Sequence, residues 1–352
     1  MAKLCHLAIQ NFRSIQKMSW APSDGINCLI GPGDSGKSTI LDAIDLCLGA
    51  RRSVAFGDTD FHNLDVTQPI VILATLDDLP DQLLNLDVYG DFLRGFDPET
   101  GRVEDEPRFG ISTVLTLRLT VAADLEPVWT LYSDRAQRDG LERSLAWKDR
   151  ALLAPARIGS FANSNLSWSR NSVLNRLTED RAELGSQLAA AGRLARASFG
   201  DKADAQLTDA LTTVTVVANS LGVPVGASAR ALLDAHSISI GDGAISLHNE
   251  AGIPLRSLGT GSSRLLVAGL QREATASASI ALIDEVEYGL EPHRLARLLD
   301  SLGAKDDGEL LQTFMTSHSP VALRELTADQ VFVVRTQLDR HRVRRVGAVD
   351  DI

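Results

Sequence analysis

The sequence predicts an α/β fold, a largely parallel sheet carrying an antiparallel β-lobe and a helical insert, and three observations predict it. Between residues 26 and 49 an apolar stretch runs into a glycine-rich loop and then an amphipathic stretch. Two later apolar stretches, Ser279–Glu285 and Leu310–Met315, end in residues able to carry chemistry. Alternating β-branched stretches fill the first third of the chain, whereas Ser172–Leu221 turns to Ala, Leu and Arg at helical spacing.

The first of these is the most specific. Ile26–Ile30 has the length of a buried strand, and Gly31-Pro32-Gly33-Asp34-Ser35-Gly36-Lys37-Ser38-Thr39 fits G-x-x-x-x-G-K-[ST] at every fixed position. Ile40, Leu41, Ile44 and Leu48 follow at helical spacing, with Gly49 as the stop. The residue types suit a triphosphate. Glycines let backbone N–H groups close around phosphate oxygens, and the helix N-terminus adds partial positive charge. Lys37 reaches the β- and γ-phosphates, Ser38 offers its hydroxyl to Mg²⁺, and the loop from Gly31 to Thr39 forms the ATP-binding set.

Ser279–Glu285 is an apolar strand ending in two acids. Asp284 is placed to hold the Mg²⁺ shell and Glu285 to polarise the attacking water. The strand Leu310–Met315 leads to Thr316-Ser317-His318-Ser319-Pro320, where His318 can sense the γ-phosphate.

Together these residues resemble the Walker A, Walker B and H-loop of ABC-class ATPases. Asn11-Phe12-Arg13-Ser14-Ile15 resembles the opening of the SMC and RecF branch, especially the overcoming-lysogenization-defect (OLD) family of ATP-dependent endonucleases. Asp284-Glu285-Val286-Glu287 with Leu290-Glu291-Pro292-His293 is similar to that family's Walker B and D-loop. The resemblance covers residues 1–60 and 240–350 well and the middle loosely. It implies an ABC-type P-loop ATPase core that binds ATP and Mg²⁺ and works as a homodimer, each P-loop facing the partner's signature loop. Ser257–Arg264 occupies the place of that signature, with Gly259, Thr260, Gly261 and Ser262 as the residues meeting nucleotide in trans, although it departs from Leu-Ser-Gly-Gly-Gln. Gln68 is the best available Q-loop residue and a weak third metal ligand.

The remaining elements follow in order. Leu4–Gln10, Ile15–Trp20, Pro69–Leu76, Ile111–Val121 and Val128–Tyr132 read as strands of the antiparallel lobe, and Asp97–Pro107 as a loop dense in Pro, Gly and acid. Residues 1–171 and 222–352 are expected to form the ATPase core, and 172–221 the helical insert, which the resemblance makes a dimerisation element; helices that merely cover the sheet are the other reading. Val331–Arg335 and Val343–Val346 read as closing strands. Their cluster Arg335, Arg340, Arg342, Arg344 and Arg345 fits either a DNA-facing patch or, the preferred reading, a solvated strand edge.

Composition bounds the function. With 352 residues, 44% apolar and 23% charged, the chain is an ordinary globular protein. Its apolar runs are too short to cross a bilayer and no secretory leader opens it, so a cytoplasmic location without membrane partners is expected. Cys5, Cys28 and Cys47 lack a CxxC pair and read as small buried hydrophobes. A net charge of −11 argues against wrapping nucleic acid over the whole surface, while leaving room for a local basic groove.

The expected function is the ATPase module of an OLD-like, nuclease-associated DNA-processing system in phage defence or repair, with DNA reached through a nuclease domain or partner subunit. The alternative is an ATP-gated sensor or scaffold that recruits a separate effector with little turnover. The chain alone is not expected to cut DNA. A Toprim nuclease needs a glutamate before an Asp-x-Asp pair. Here the single such pair, Asp58-Thr59-Asp60, precedes the first glutamate, Glu99. A truncated chain and a naturally nuclease-free ATPase both fit that order.

Overall fold

The computed structural model describes residues 2–50, 54–158, 166–168, 172–174, 191, 194, 199, 205–231, 245–274, 279–305, 311–337 and 340–347. The chain divides into two compact units, Met1–Ala162 with Leu258–Ile352, and Asn163–Ser257.

Among the described residues the first unit holds thirteen strands: β1 (Lys3–Phe12), β2 (Ile15–Trp20), β3 (Ile26–Ile30), β4 (Ile70–Asp77), β5 (Leu93–Asp97), β6 (Arg102–Glu104), β7 (Ser112–Val121), β8 (Pro127–Tyr132), β9 (Ala156–Ile158), β10 (Ile280–Ile283), β11 (Gln312–Thr316), β12 (Val331–Gln337) and β13 (Arg340–Arg345). They form one sheet in the order β6-β5-β7-β4-β1-β2-β13-β12-β3-β11-β10-β9, with β8 also on β7. From β12 to β9 every pairing is parallel. From β2 to β6 every pairing is antiparallel, and β13 joins the two halves by running antiparallel to β12 and parallel to β2. This is the mixed α/β architecture expected, with the β-lobe fused to the parallel sheet.

The central parallel strands β3, β10 and β11 are buried on both faces, which is why they read as continuous apolar runs. Along β10, Ile280 and Leu282 face one core while Ala281 and Ile283 face the other, and Phe314 and Met315 of β11 divide the same way. The first core is filled by helix α1 (Lys37–Leu48), whose Ile40, Leu41, Ile44 and Cys47 are fully buried between the sheet and the β-lobe. Each such side chain contributes about 1.5–3 kcal/mol by leaving water. Short helices α2 (Leu86–Tyr89), α3 (Asp134–Arg138) and α4 (Trp147–Leu153) flank the β-lobe. In the second unit lies α5 (Thr208–Ser220), and returning to the first are α6 (Thr260–Ala274), α7 (Pro292–Ser301) and α8 (Pro320–Glu325). Leu295, Leu298 and Leu299 of α7 and Ala322 of α8 close the second core.

One loop differs from expectation. Residues 97–104 of the Asp97–Pro107 stretch turn back as the β5–β6 hairpin. The Asp97 carboxylate accepts from the Glu99 and Thr100 amides and the Thr100 hydroxyl, and Gly101 takes a left-handed φ of 65°. Cys5, Cys28 and Cys47 are free and buried, and burial pushes the Cys28 and Cys47 thiols up to about 12.

The second unit, residues 163–257, is wider than the insert expected at 172–221. Of the helices expected there, α5 is described, and most of residues 175–204 lie outside the described residues. No helix among the described residues is long and apolar enough to cross a membrane.

Candidate nucleotide site

The site gathers at the C-terminal ends of β3, β10 and β11, the edge where open parallel sheets bind ligands. β3 delivers the P-loop. Gly31 has a φ of 153° and Gly36 one of 88°, both in the region that favours glycine. A Cβ on Gly31 would lie 2.4 Å from the Val334 carbonyl oxygen, so the loop needs glycine for space as well. Lys37 Nζ donates to the carbonyls of Gly31 (3.1 Å) and Pro32 (2.7 Å) and to Ser35 Oγ (3.3 Å). Burial lowers its pKa, opposed by the nearby charges of Asp284 and Asp34.

β10 and β11 are adjacent and parallel, which brings their ends together. Ser38 Oγ donates to Asp284 Oδ1 at 3.0 Å, joining α1 to the end of β10. Thr316 Oγ1 donates to the same oxygen at 2.6 Å and accepts from the Glu285 amide at 2.7 Å. Glu285 has a φ of 46°, a strained value for a residue with a side chain. The Glu287 carboxylate accepts from Ser317 Oγ (2.8 Å) and the His318 amide (2.7 Å), and the Val286 amide donates to the Thr316 carbonyl. The acidic turn is thereby fastened to the loop that carries His318.

A cavity of about 460 Å³ opens here, lined by Arg13, Ser14, the loop from Gly33 to Thr39, Glu285, Thr316 and His318. The candidates Lys37, Ser38, Glu285 and His318 therefore share one cavity, with Asp284 bonded at its edge. Gly259, Thr260, Gly261 and Ser262 do not line it. They form the start of α6, where Ser262 Oγ accepts from Arg294 and Arg264 donates to the Tyr288 carbonyl. Gln68 does not line it either; its backbone carbonyl accepts from Asn11 Nδ2.

Sequence reasoning overlooked Thr316 and gave Arg13 and Ser14 no place in the site. Arg13 reaches the cavity wall while bonded to Asp60 (2.9 Å) and Asp42, and Arg157 holds Asp42 and Asp45 from the far side. Asp60 also accepts from the Gly57 amide, so Asp60 of the Asp58-Thr59-Asp60 run braces Arg13.

A family model described as "AAA domain, putative AbiEii toxin, Type IV TA system" matches residues 26–324, spanning the P-loop, the acidic turn and His318. The chain belongs to this AAA-domain family. Shorter stretches are similar to the DNA replication and repair protein RecF. That of Prosthecochloris aestuarii is 47% identical over 45 residues, 13% of this chain and 12% of that protein. That of Nitrosococcus oceani is 45% identical over 53 residues, 15% and 14%. These matches cover under a sixth of either relative's length. A solved SMC head bound to the C-winged-helix domain of ScpA superposes over 97% of this chain and 96% of that one, with a TM-score of 0.51 and 15% identity, a likeness of fold. The AAA-family domain thus has the fold of SMC heads.

Proposed function

We propose that this chain binds ATP with Mg²⁺ and hydrolyses it, two copies closing on nucleotide as the ATPase module of an OLD-like, nuclease-associated DNA-processing system. The observation that carries this reading is the single cavity in which Lys37, Ser38, Glu285 and His318 meet, with Ser38 Oγ 3.0 Å from Asp284 Oδ1. A hydroxyl and a carboxylate at that spacing are hard oxygen donors of the kind Mg²⁺ takes when it shares its shell with phosphate and water. Ser38 and Asp284 would hold the ion, which would supply charge neutralisation for the triphosphate.

The chain's own residues account for the rest. The Lys37 ammonium sits on loop carbonyls that phosphate oxygens can replace, gaining a charge-assisted partner. Glu285 borders the cavity as the carboxylate able to orient water, while Glu287 is committed to Ser317 and His318. His318 borders the same space. That Gly259–Ser262 lie outside the cavity supports their serving a second copy's site. The RecF likeness supports work on DNA in repair.

Steady-state phosphate release by the purified chain, with and without duplex DNA, tests the reading. Turnover that rises with DNA is expected. Tight ATP binding with negligible turnover in both arms would replace it with the ATP-gated sensor that recruits a separate effector.

A further inference from the structure

The chain carries a net charge of −11, with 46 acidic against 35 basic residues, so carboxylates are plentiful partners for arginine. Among the described residues, Arg13, Arg94, Arg157 and Arg294 each sit against Asp or Glu. The β12–β13 hairpin instead gathers several arginines on one exposed face. Arg340, Arg342 and Arg344 alternate along β13 and share one face, while His341 and Val343 between them turn to the core. Arg335 of β12 lies directly opposite Arg342, and Lys17 of β2 lies beside Arg340. Register partners point to the same side of a sheet, so Lys17, Arg335, Arg340, Arg342 and Arg344 form one continuous exposed face.

Among the described residues, Lys17, Arg335, Arg340 and Arg342 have no ion-pair partner; Arg345, at the strand's end, pairs with Asp329. Like charges directly opposite across two strands destabilise a sheet. An unrelieved Arg335–Arg342 pair in an acidic chain is therefore a cost to the fold that an anionic partner would remove.

Resting on the DNA-linked ATPase reading above, we infer that the outer face of the β2–β13–β12 ribbon docks the phosphate backbone of duplex DNA. The spacing suits it: i, i+2 residues on a strand stand about 6.8 Å apart and neighbouring strands about 4.8 Å, a grid on the scale of successive backbone phosphates. The face offers guanidinium forks, which bind phosphate in a bidentate manner. It lacks the aromatic side chains on which single-strand binders stack bases, which favours a duplex.

The same ribbon supports the nucleotide loop from behind. Val334 of β12 is the residue whose carbonyl lies against Gly31, and a Cβ on Gly36 would meet His341 of β13 at 3.3 Å. Phosphate backbone on the outer face and triphosphate in the cavity thus press on the same two strands, which gives DNA a short route to the P-loop.

The test is fluorescence anisotropy of a labelled duplex of about 20 base pairs on the full chain, from about 50 to 200 mM salt. Wild type is compared with Arg335→Ala/Arg342→Ala and with Lys17→Ala/Arg340→Ala. Each pair should weaken binding at least about tenfold at low salt and reduce the slope of log K against log salt by about 1.8, two phosphate contacts at 0.9 each. The first pair should melt no lower than wild type, because like-charge repulsion is relieved, and both should bind ATP unchanged. Wild-type and variant curves that coincide would overturn the inference and leave the DNA-linked reading standing with its contact elsewhere. A wild type that binds no duplex, yet loses binding to phosphatidylserine-rich vesicles in the variants, would overturn both.

Discussion

Replacing Thr316 by valine should uncouple ATP binding from ATP hydrolysis. Thr316 is 1% exposed, so valine fills its space without opening a void, and only the hydroxyl is lost. That hydroxyl gives one hydrogen bond to the Asp284 carboxylate and receives one from the Glu285 amide. A bond to a charged group is worth about 1.5–3 kcal/mol, and the part-buried Glu285 amide, once without its partner, costs about 1 kcal/mol, the low end of the range for a buried group. Because Asp284 keeps Ser38 and the turn can shift, about 2–4 kcal/mol of stability should disappear. The catalytic effect has a separate origin. Glu285 is held at a φ of 46°, which costs about 1–2 kcal/mol for a residue with a side chain. The amide bond to Thr316 helps offset that strain. Once it is gone the turn relaxes and the carboxylate leaves the cavity in most molecules. At 1.36 kcal/mol per tenfold, kcat should fall about tenfold or somewhat more, whereas ATP affinity, set by the P-loop, should stay within about threefold. Phosphate release, titration calorimetry and thermal melting measure the three quantities. A Thr316→Ser variant should recover most of the rate. A valine variant with the melting loss but wild-type kcat would refute the claim that this hydroxyl positions Glu285.

Three further outcomes are expected. Lys37→Ala should abolish tight ATP binding in calorimetry, since it removes the side-chain cation placed to meet the β- and γ-phosphates; wild-type affinity would dismiss the P-loop assignment. Glu285→Gln should bind ATP and hydrolyse it at least about a hundredfold more slowly, and unchanged turnover would mean that water is activated elsewhere, Glu287 being already engaged. Urea midpoints should fall as pH drops below about 6.5. Burial lowers the pKa of both His341 and His6, aided by His62 and Arg94 respectively. Below the unfolded value of 6.5 the unfolded chain takes up protons that the folded chain refuses, so stability is full above that pH and is lost as pH falls through it. Each histidine contributes a slope of at most about 1.4 kcal/mol per pH unit. A His341→Gln variant with the wild-type slope would exclude that residue.

Much of this was legible in the sequence because the signals were local. The strand, loop and helix from Ile26 to Gly49 sit within two dozen residues and were readable end to end. The strands of the β-lobe alternate and declared themselves by period. The ones overlooked broke the pattern: β5 carries a buried Arg94 and an interior Gly95, whose Cβ would meet Ile111 at 2.3 Å, and β9 is only three residues long. In the site, Ser38, Asp284, Glu285 and His318 were found by motif. Thr316 was not, because its importance arises only when β11 lies beside β10 and the hydroxyl meets a turn 32 residues away. Arg13 was read as part of a motif without a task, since its place depends on Asp42 and Asp60, carboxylates that helix α1 and a short 3-10 turn bring to it. Gln68 has no motif around it that marks a Q-loop, and its described contact is through its backbone.

The same packing couples the acidic turn of the cavity to the start of α6. Asp284 holds Ser38 on one side, and seven residues on, Glu291 immediately precedes α7. Between them the turn leaves no slack against the start of α6. A Cβ on Gly261 would lie 2.7 Å from the Gly289 carbonyl oxygen, and one on Gly289 would lie 2.8 Å from Thr260 Cγ2. Arg264 grips the Tyr288 carbonyl and Arg294 grips Ser262 Oγ, so the two loops are tied at both edges as well as pressed together at the centre. Close-packed interfaces of this kind move as a piece or not at all. Any displacement of the Asp284 turn on binding or release of phosphate must therefore carry the Thr260–Ser262 segment with it. Glycine at 261 and 289 is what permits that contact, and it is demanded here by the proximity of two loops, neither of which touches the nucleotide cavity of its own chain through those residues.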